Sequence, residues 1–208
     1  MIAALVLLVA LVAPLPSASP TRVDVLISAG HEGRPQSCAR FPKHHCNLGA
    51  SGEIAWTPVV ADAATQILRA HGIGVQRLPA DFDGRYDAGA AVFIHFDGND
   101  SPCSTGASIG FHRAQDAPAA AAWRSYYGRY FPFRFMPDNF TRNLSNYYAF
   151  RQVHAQNGAL VLELGEIDCP AQKAWLQPRL AWEGAVLAHF LANQIGRKDV
   201  PDPGPFAP

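Results

Sequence analysis

Four side chains at well-separated points of the chain can do chemistry together: His31, Glu53, His95 and Glu163. Two imidazoles and a carboxylate are a ligand set for a catalytic divalent metal such as Zn2+, which takes three protein ligands and leaves its fourth position to water. A further carboxylate beside such a centre can take a proton from that water. The three candidate ligands lie too far apart for a one-helix H-E-x-x-H site. Each must therefore be brought in by a different element.

The local sequence supplies those elements. Residues 25–34, VLISAGHEGR, run as an apolar β-like stretch into Ser-Ala-Gly, with His31 just past its carboxyl end. In an open α/β sheet, ligands bind outside the carboxyl ends of the strands. The stretch VFIHFDG places His95 at the end of a second such run, and ALVLELG places Glu163 inside a third. Glu53 opens the clearest helical segment, where Ile54, Val60, Ala64, Ile67 and Leu68 share a face. Ser51 is positioned to cap that helix and Gly72 to end it.

The rest of the chain fits the same order. Strands are expected over 22–28, 75–78, 91–96 and 159–164, with 108–112 as an edge strand. Helices are expected over 118–130, through a mixed stretch at 141–158, and over 172–195 with an interruption at Pro178. Between them, strand, helix, strand, strand, helix, strand, helix is the order of an α/β three-layer sandwich, with a largely parallel central sheet flanked by helices. The loop 30–52 carries Pro35, Pro42, two cysteines and His44–His45, and a loop of that length is usually functional. The tail, 196–208, is Pro-rich and reads as loose.

Composition bounds the function. The chain has 208 residues, about half of them apolar, which suits one domain, here 22–195. Its 17 basic and 17 acidic side chains give no net positive field, and no Lys/Arg block marks a nucleic-acid face. Nucleic acid is therefore not an expected partner. Residues 1–18 read as a signal peptide, because the apolar run of about 14 residues is short for a span of roughly 20. A retained membrane anchor is the competing reading, since no Lys or Arg precedes the run. The expected location is periplasmic or secreted, with no stable membrane span after processing, and the expected state is a monomer.

Four cysteines suit an exported chain. Cys38 and Cys46 share a loop, and closing so small a ring stabilises by about 2.5 kcal/mol. Cys103 follows the His95 strand and Cys169 the Glu163 strand. If those strands are parallel neighbours, both cysteines lie at one edge, so the expected pairing is 38–46 and 103–169. No C-x-x-C pair suggests a four-cysteine zinc site.

Each candidate has a plainer alternative. A strand-end histidine can be a hydrogen-bonded structural residue, and Glu53 can be an acid favoured by the helix dipole. Glu163 is harder to dismiss, because burying a carboxylate without a partner is costly. Glu166 competes for the base role, but three residues on in a strand it faces the opposite side. His44 and His45 are alternative ligands, and His71 suits a helix C-terminus. His112, His154 and His189 lie in no motif, and Asp97, Asn99 and Asp100 read as a turn. Tyr126, Tyr127, Tyr147 and Tyr148 suit either a glycan-stacking groove or core packing.

Taken in order, GHEG, GEIAWT at a helix start, FIHFDGN and LVLELGEI resemble the four motifs of the zinc-dependent N-acetylmuramoyl-L-alanine amidases, over about residues 23–195. The resemblance implies His31, Glu53 and His95 as zinc ligands and Glu163 as the catalytic glutamate. It implies peptidoglycan or muropeptides as substrate, cut between the lactyl group of N-acetylmuramic acid and L-alanine. Glu32 stands where the family has glycine, Phe96 and Asp97 where it has small residues, and Glu166 where an aromatic is common. These departures bear on substrate choice more than on metal binding. Two rival functions stand beside this one. One is a metal-dependent amidohydrolase or carboxypeptidase acting on small acyl-amino acids or peptides. The other is a non-catalytic cell-wall binding protein on the same fold.

Overall fold

The computed structural model describes residues 19–34 and 47–207. The expected signal peptide, the pair Cys38–Cys46, His44 and His45 lie outside the described residues. The elements are β1 (Thr21–Ala29), α1 (Glu53–Ala70), β2 (Val75–Leu78), β3 (Tyr86–Asp97), β4 (Ser108–Gly110), α2 (Ala117–Tyr127), α3 (Arg142–Ser145), β5 (Val153–Ala155), β6 (Ala159–Glu166), α4 (Pro170–Leu176) and α5 (Leu180–Gln194).

These strands form one sheet in the order β2-β1-β3-β6-β4. All pairings are parallel except β4 against β6. The long β3 takes β5 beside its first residues and β6 beside its second half. A largely parallel sheet is buried on both faces, and the central runs of β1, β3 and β6 are apolar as that burial requires, while β1 and β3 open on polar residues and β2 is only partly buried. On one face Val25, Ile27, Val92, Ile94, Leu160 and Leu162 pack against α1, α2 and α5. On the other, Leu26, Phe93 and Val161 pack under the segment from α3 to β5. The α/β three-layer architecture is thus present, with a thinner second layer than long flanking helices would give.

Strand alternation decides where the chemistry sits. Ile94 and Phe96 belong to the α1 side, so His95 joins Phe93 on the other face, and Glu163 joins Val161 there. At the carboxyl end of β1 the chain turns sharply, and His31 takes a left-handed backbone with φ 61°. That conformation is uncommon for a residue with a side chain and is characteristic of functional turns. Thr57 of α1 donates to the Gly30 carbonyl at 2.7 Å, tying the helix to this turn.

Three local expectations are corrected. Ser51 does not cap α1: the N-cap is Gly52 at φ 98°, and the Glu53 carboxylate itself accepts from the Ala50 amide at 3.0 Å. The stretch 141–158 is mostly not helix; it holds α3, a 3-10 turn at Tyr148–Arg151, and β5. The tail is not loose. Val200 is buried, Asp202 accepts from Tyr126, Tyr130 and Arg129, and the Trp182 indole donates to Gly204. The C-terminus of α1 follows expectation, with Gly72 at φ 71° and Ile73 donating back to Leu68 as a Schellman motif does.

Candidate metal centre

His31, Glu53 and His95 meet at the carboxyl end of the sheet, each buried to 6 % exposure or less. One ligand atom from each lies within 4.8 Å of the others, a group that can hold a metal ion. Glu53 Oε1 is 3.3 Å from His31 Nε2 and 2.9 Å from His95 Nδ1. The two imidazoles meet edge to face with centroids 4.9 Å apart. His31 Nδ1 lies 2.8 Å from the Asn47 carbonyl, which leaves Nε2 directed at the cluster.

Glycines make this approach possible. A Cβ at Gly30 would overlap the His95 imidazole and the Ile94 carbonyl, and one at Gly49 would overlap the Glu53 carboxylate. Burial works against ionisation of Glu53, but hydrogen bonds and charge from His31 and His95 outweigh it and hold its pKa at about 2. Burial lowers the His95 pKa, with the Glu53 carboxylate acting in the opposite sense. Both directions favour the neutral imidazole and ionised carboxylate that a divalent cation takes as ligands.

Glu163 stands beside this cluster. It is the register partner of His95 across β3 and β6, and both line one cleft of about 1160 Å³ with Arg34, Asp97 and Tyr147. Its Oε2 is buried and has no hydrogen-bond partner among the described residues. Burial first, then the charges of Glu53 and Asp97, push its pKa well above the carboxylate range. An orphaned buried oxygen next to a His-Glu-His group fits a site built around a cation, which would relieve both penalties.

Glu166 does not line the cleft, but strand counting is not the reason: the register shifts between His95 and Asp97, and Glu166 becomes the partner of Asp97. It is fully buried and accepts from the Cys103 and Thr105 amides at 2.6 and 2.8 Å. It therefore holds the loop that ends in the Cys103–Cys169 disulfide, which is present. Glu32 pairs with Arg77 through two hydrogen bonds of 2.6 and 3.1 Å and does not join the cluster. His112 and His189 face carbonyls, and His71 and His154 lie near aspartates, all away from the cleft. Asn99 forms the expected turn, accepting from the Ser101 amide.

Of the four candidate tyrosines, Tyr147 and Tyr148 line the cleft; Tyr127 is core and Tyr126 meets the tail. The sequence reading missed Tyr147 as the partner of His95, whose Nε2 lies 3.0 Å from the phenol oxygen. No motif marks it. The only signal was a pair of tyrosines in a polar stretch, and aromatic residues there suit packing equally well.

No protein-family model matches the sequence, and no curated protein does. Solved structures match by shape. The catalytic domain of CwlV, an N-acetylmuramoyl-L-alanine amidase from Paenibacillus polymyxa, superposes with a TM-score of 0.60 at 16% identity, over 86% of this chain and 99% of that one. Ami1, the N-acetylmuramyl-L-alanine amidase of Mycobacterium smegmatis, gives 0.56 at 14% identity, over 87% and 99%. AmiC2 of Nostoc punctiforme, also an N-acetylmuramoyl-L-alanine amidase, gives 0.52 at 19%, over 85% and 97%. The chain has the fold of these amidase domains, across nearly their whole length.

Proposed function

We propose that the protein is an exported zinc hydrolase of the N-acetylmuramoyl-L-alanine amidase type, with peptidoglycan or muropeptides as substrate. The observation that carries this reading is the buried His31–Glu53–His95 group with the unpartnered Glu163 oxygen on the same face. The shared fold of the amidase domains supports the substrate class. His31, Glu53 and His95 would hold the metal. Bound there, zinc supplies a Lewis acid for a scissile carbonyl and lowers the pKa of the attacking water toward neutrality.

The remaining steps belong to the chain. Glu163 takes a proton from the attacking water and returns it to the leaving nitrogen, the amine of L-alanine. It can do so only when ionised, a form that burial and the charges of Glu53 and Asp97 oppose and that a cation held by the neighbouring ligands would favour. The open cleft beside it admits a strand of peptide and glycan, with Tyr147 and Tyr148 forming one wall. The Cys103–Cys169 bridge supports an oxidising compartment, periplasmic or extracellular. Among the described residues no helix is long and apolar enough to cross a membrane.

Metal analysis coupled to digestion tests the proposal. Purified protein should carry one zinc and release free stem peptides, beginning at L-alanine, from muropeptides. Removal of metal by a chelator should abolish release and added zinc should restore it. Protein that neither holds zinc nor responds to chelation overturns the reading. Products with the lactyl–alanine amide intact overturn the cleavage site alone.

A further inference from the structure

The two ring nitrogens of His95 face different environments. Nδ1 lies 2.9 Å from Glu53 Oε1, inside the candidate ligand group, while Nε2 lies 3.0 Å from the Tyr147 hydroxyl. That hydroxyl is 3.4 Å from the hydroxyl of Tyr148, which in turn donates to the Ala80 carbonyl. We propose that Tyr147 and Tyr148 form a positioning relay for the metal centre, aiming Nδ1 of His95 at the cation and accepting the Nε2 proton that this ligation demands. The inference rests on the metal-hydrolase reading above.

A neutral imidazole that gives Nδ1 to a cation must carry its proton on Nε2. A buried N–H needs an acceptor, and partners of this kind fix the ring of a metal-bound histidine. With the cation bound, the chain of donors runs one way. His95 Nε2–H donates to Tyr147, Tyr147 to Tyr148, and Tyr148 to Ala80. The last acceptor is a backbone carbonyl, which cannot donate, so the direction is set.

Without the cation the need reverses. His95 Nδ1–H then donates to the Glu53 carboxylate, and Nε2 becomes an acceptor. On passing between the two states one proton leaves Nδ1 to water and one is taken from water at Nε2, so the ring stays neutral. A carbonyl or carboxylate partner suits only the loaded state and an ammonium only the free one. A phenol suits both by rotating its O–H. Tyr148 continues to donate to Ala80 in either case.

Packing holds the relay in place. The Tyr147 ring lies against Phe93 at 5.1 Å and Tyr148 at 4.6 Å between centroids. Its edge-to-face contact with His95 is at 5.4 Å. Phe93 is two residues from His95 on the same strand face, so ring and ligand share one support.

The test compares wild type, Tyr147→Phe and Tyr148→Phe in zinc affinity, measured by chelator competition, and in the imidazole N–H resonances of the zinc-loaded proteins. Tyr147→Phe should weaken zinc binding by roughly ten- to a hundredfold. It should also lose the exchange-protected Nε2–H signal of His95. Tyr148→Phe should have the smaller effect and keep that signal. The thermal transition of each metal-free protein reports packing separately. Tyr147→Phe with wild-type affinity, or with weakened affinity and a protected Nε2–H, overturns the relay while leaving the metal reading intact. Wild type that binds no zinc overturns both.

Discussion

His95 and Glu163 are register partners on adjacent parallel strands, so their side chains leave the same face of the sheet side by side. One points into a cluster of ligand atoms, and the other ends in a buried oxygen with no partner among the described residues. The register fixes their separation without help from any loop. Glu163→Gln keeps the shape and removes the base. Hydrolysis should fall by about 10²- to 10⁴-fold, the range for loss of a general base. Zinc content should stay at the wild-type level, because Glu163 is not among the three ligands. Metal-free Glu163→Gln should melt no lower than metal-free wild type at neutral pH, since an unpartnered buried carboxylate costs stability. Loss of zinc together with activity would place Glu163 among the ligands instead.

Gly30 sits where β1, α1 and His95 converge. Its amide donates to Ile94 at 2.8 Å and its carbonyl accepts from Thr57, so the backbone is held from both sides. A Cβ there would overlap both the imidazole and the Ile94 carbonyl. Gly30→Ala should cost about 1–3 kcal/mol, the usual range for overpacking. It should also lower zinc affinity by displacing the His95 ring. Calorimetry and chelator competition check the two effects. Wild-type affinity in this variant would mean that the ring can give way, and that Gly30 serves only the fold.

The strands were legible in the sequence because three of the four site residues, all but Glu53 at its helix start, terminate or interrupt a short apolar run of strand length. His31, His95 and Glu163 could be read from that pattern. Counting to three turns Glu166 to the opposite face, but the register shift between His95 and Asp97 breaks that count, and Glu166 is kept from the base role by its bonds to the Cys103 and Thr105 amides. Less visible were features that depend on partners distant in sequence. β5 is three residues long, too short to show alternation, and it exists because β3 offers its first residues as a template. The tail looked loose from its prolines, yet Asp202 collects three donors from α2 and the segment just after it. Ser51 looked like a cap by type, but Gly52 adopts the left-handed turn and the Glu53 carboxylate accepts from the Ala50 amide. Tyr147 was legible as an aromatic and not as the hydrogen-bond partner of a ligand.

Cys103 and Cys169 are 66 residues apart, and the loop between the His95 strand and β4 depends on this bridge. Glu166 supports the same loop from below through the Cys103 and Thr105 amides. The loop-entropy estimate for such a ring is about 4 kcal/mol, and native bridges commonly give 2–5. Replacing both cysteines by serine should therefore lower unfolding free energy by roughly 2–4 kcal/mol, read from denaturant midpoints. Zinc affinity should change far less, because no ligand is in the loop. Equal stability with and without the bridge would show that Glu166 alone holds the segment.

Glu183 is fully buried far from the cleft, with Tyr127 2.9 Å from its Oε1. The same phenol lies 2.8 Å from the Leu164 carbonyl, and one hydroxyl proton cannot serve both acceptors. The arrangement closes if Glu183 is protonated, donating to Tyr127 while Tyr127 donates to Leu164. Burial drives this, pushing the Glu183 pKa up to about 8 against the opposing effect of the Tyr127 bond. In the unfolded chain the group titrates near 4.5. Between those values the native state holds a proton that the unfolded state has lost. Stability from this group is complete below about pH 4.5 and declines as pH rises toward about 8, by the linkage relation. Glu183→Gln keeps a donor for Tyr127 and removes the titration. Its unfolding free energy should lose that decline, exceeding wild type by a few kcal/mol at pH 8. Parallel curves for the two proteins from pH 5 to 8 would show that Glu183 is ionised in the native core.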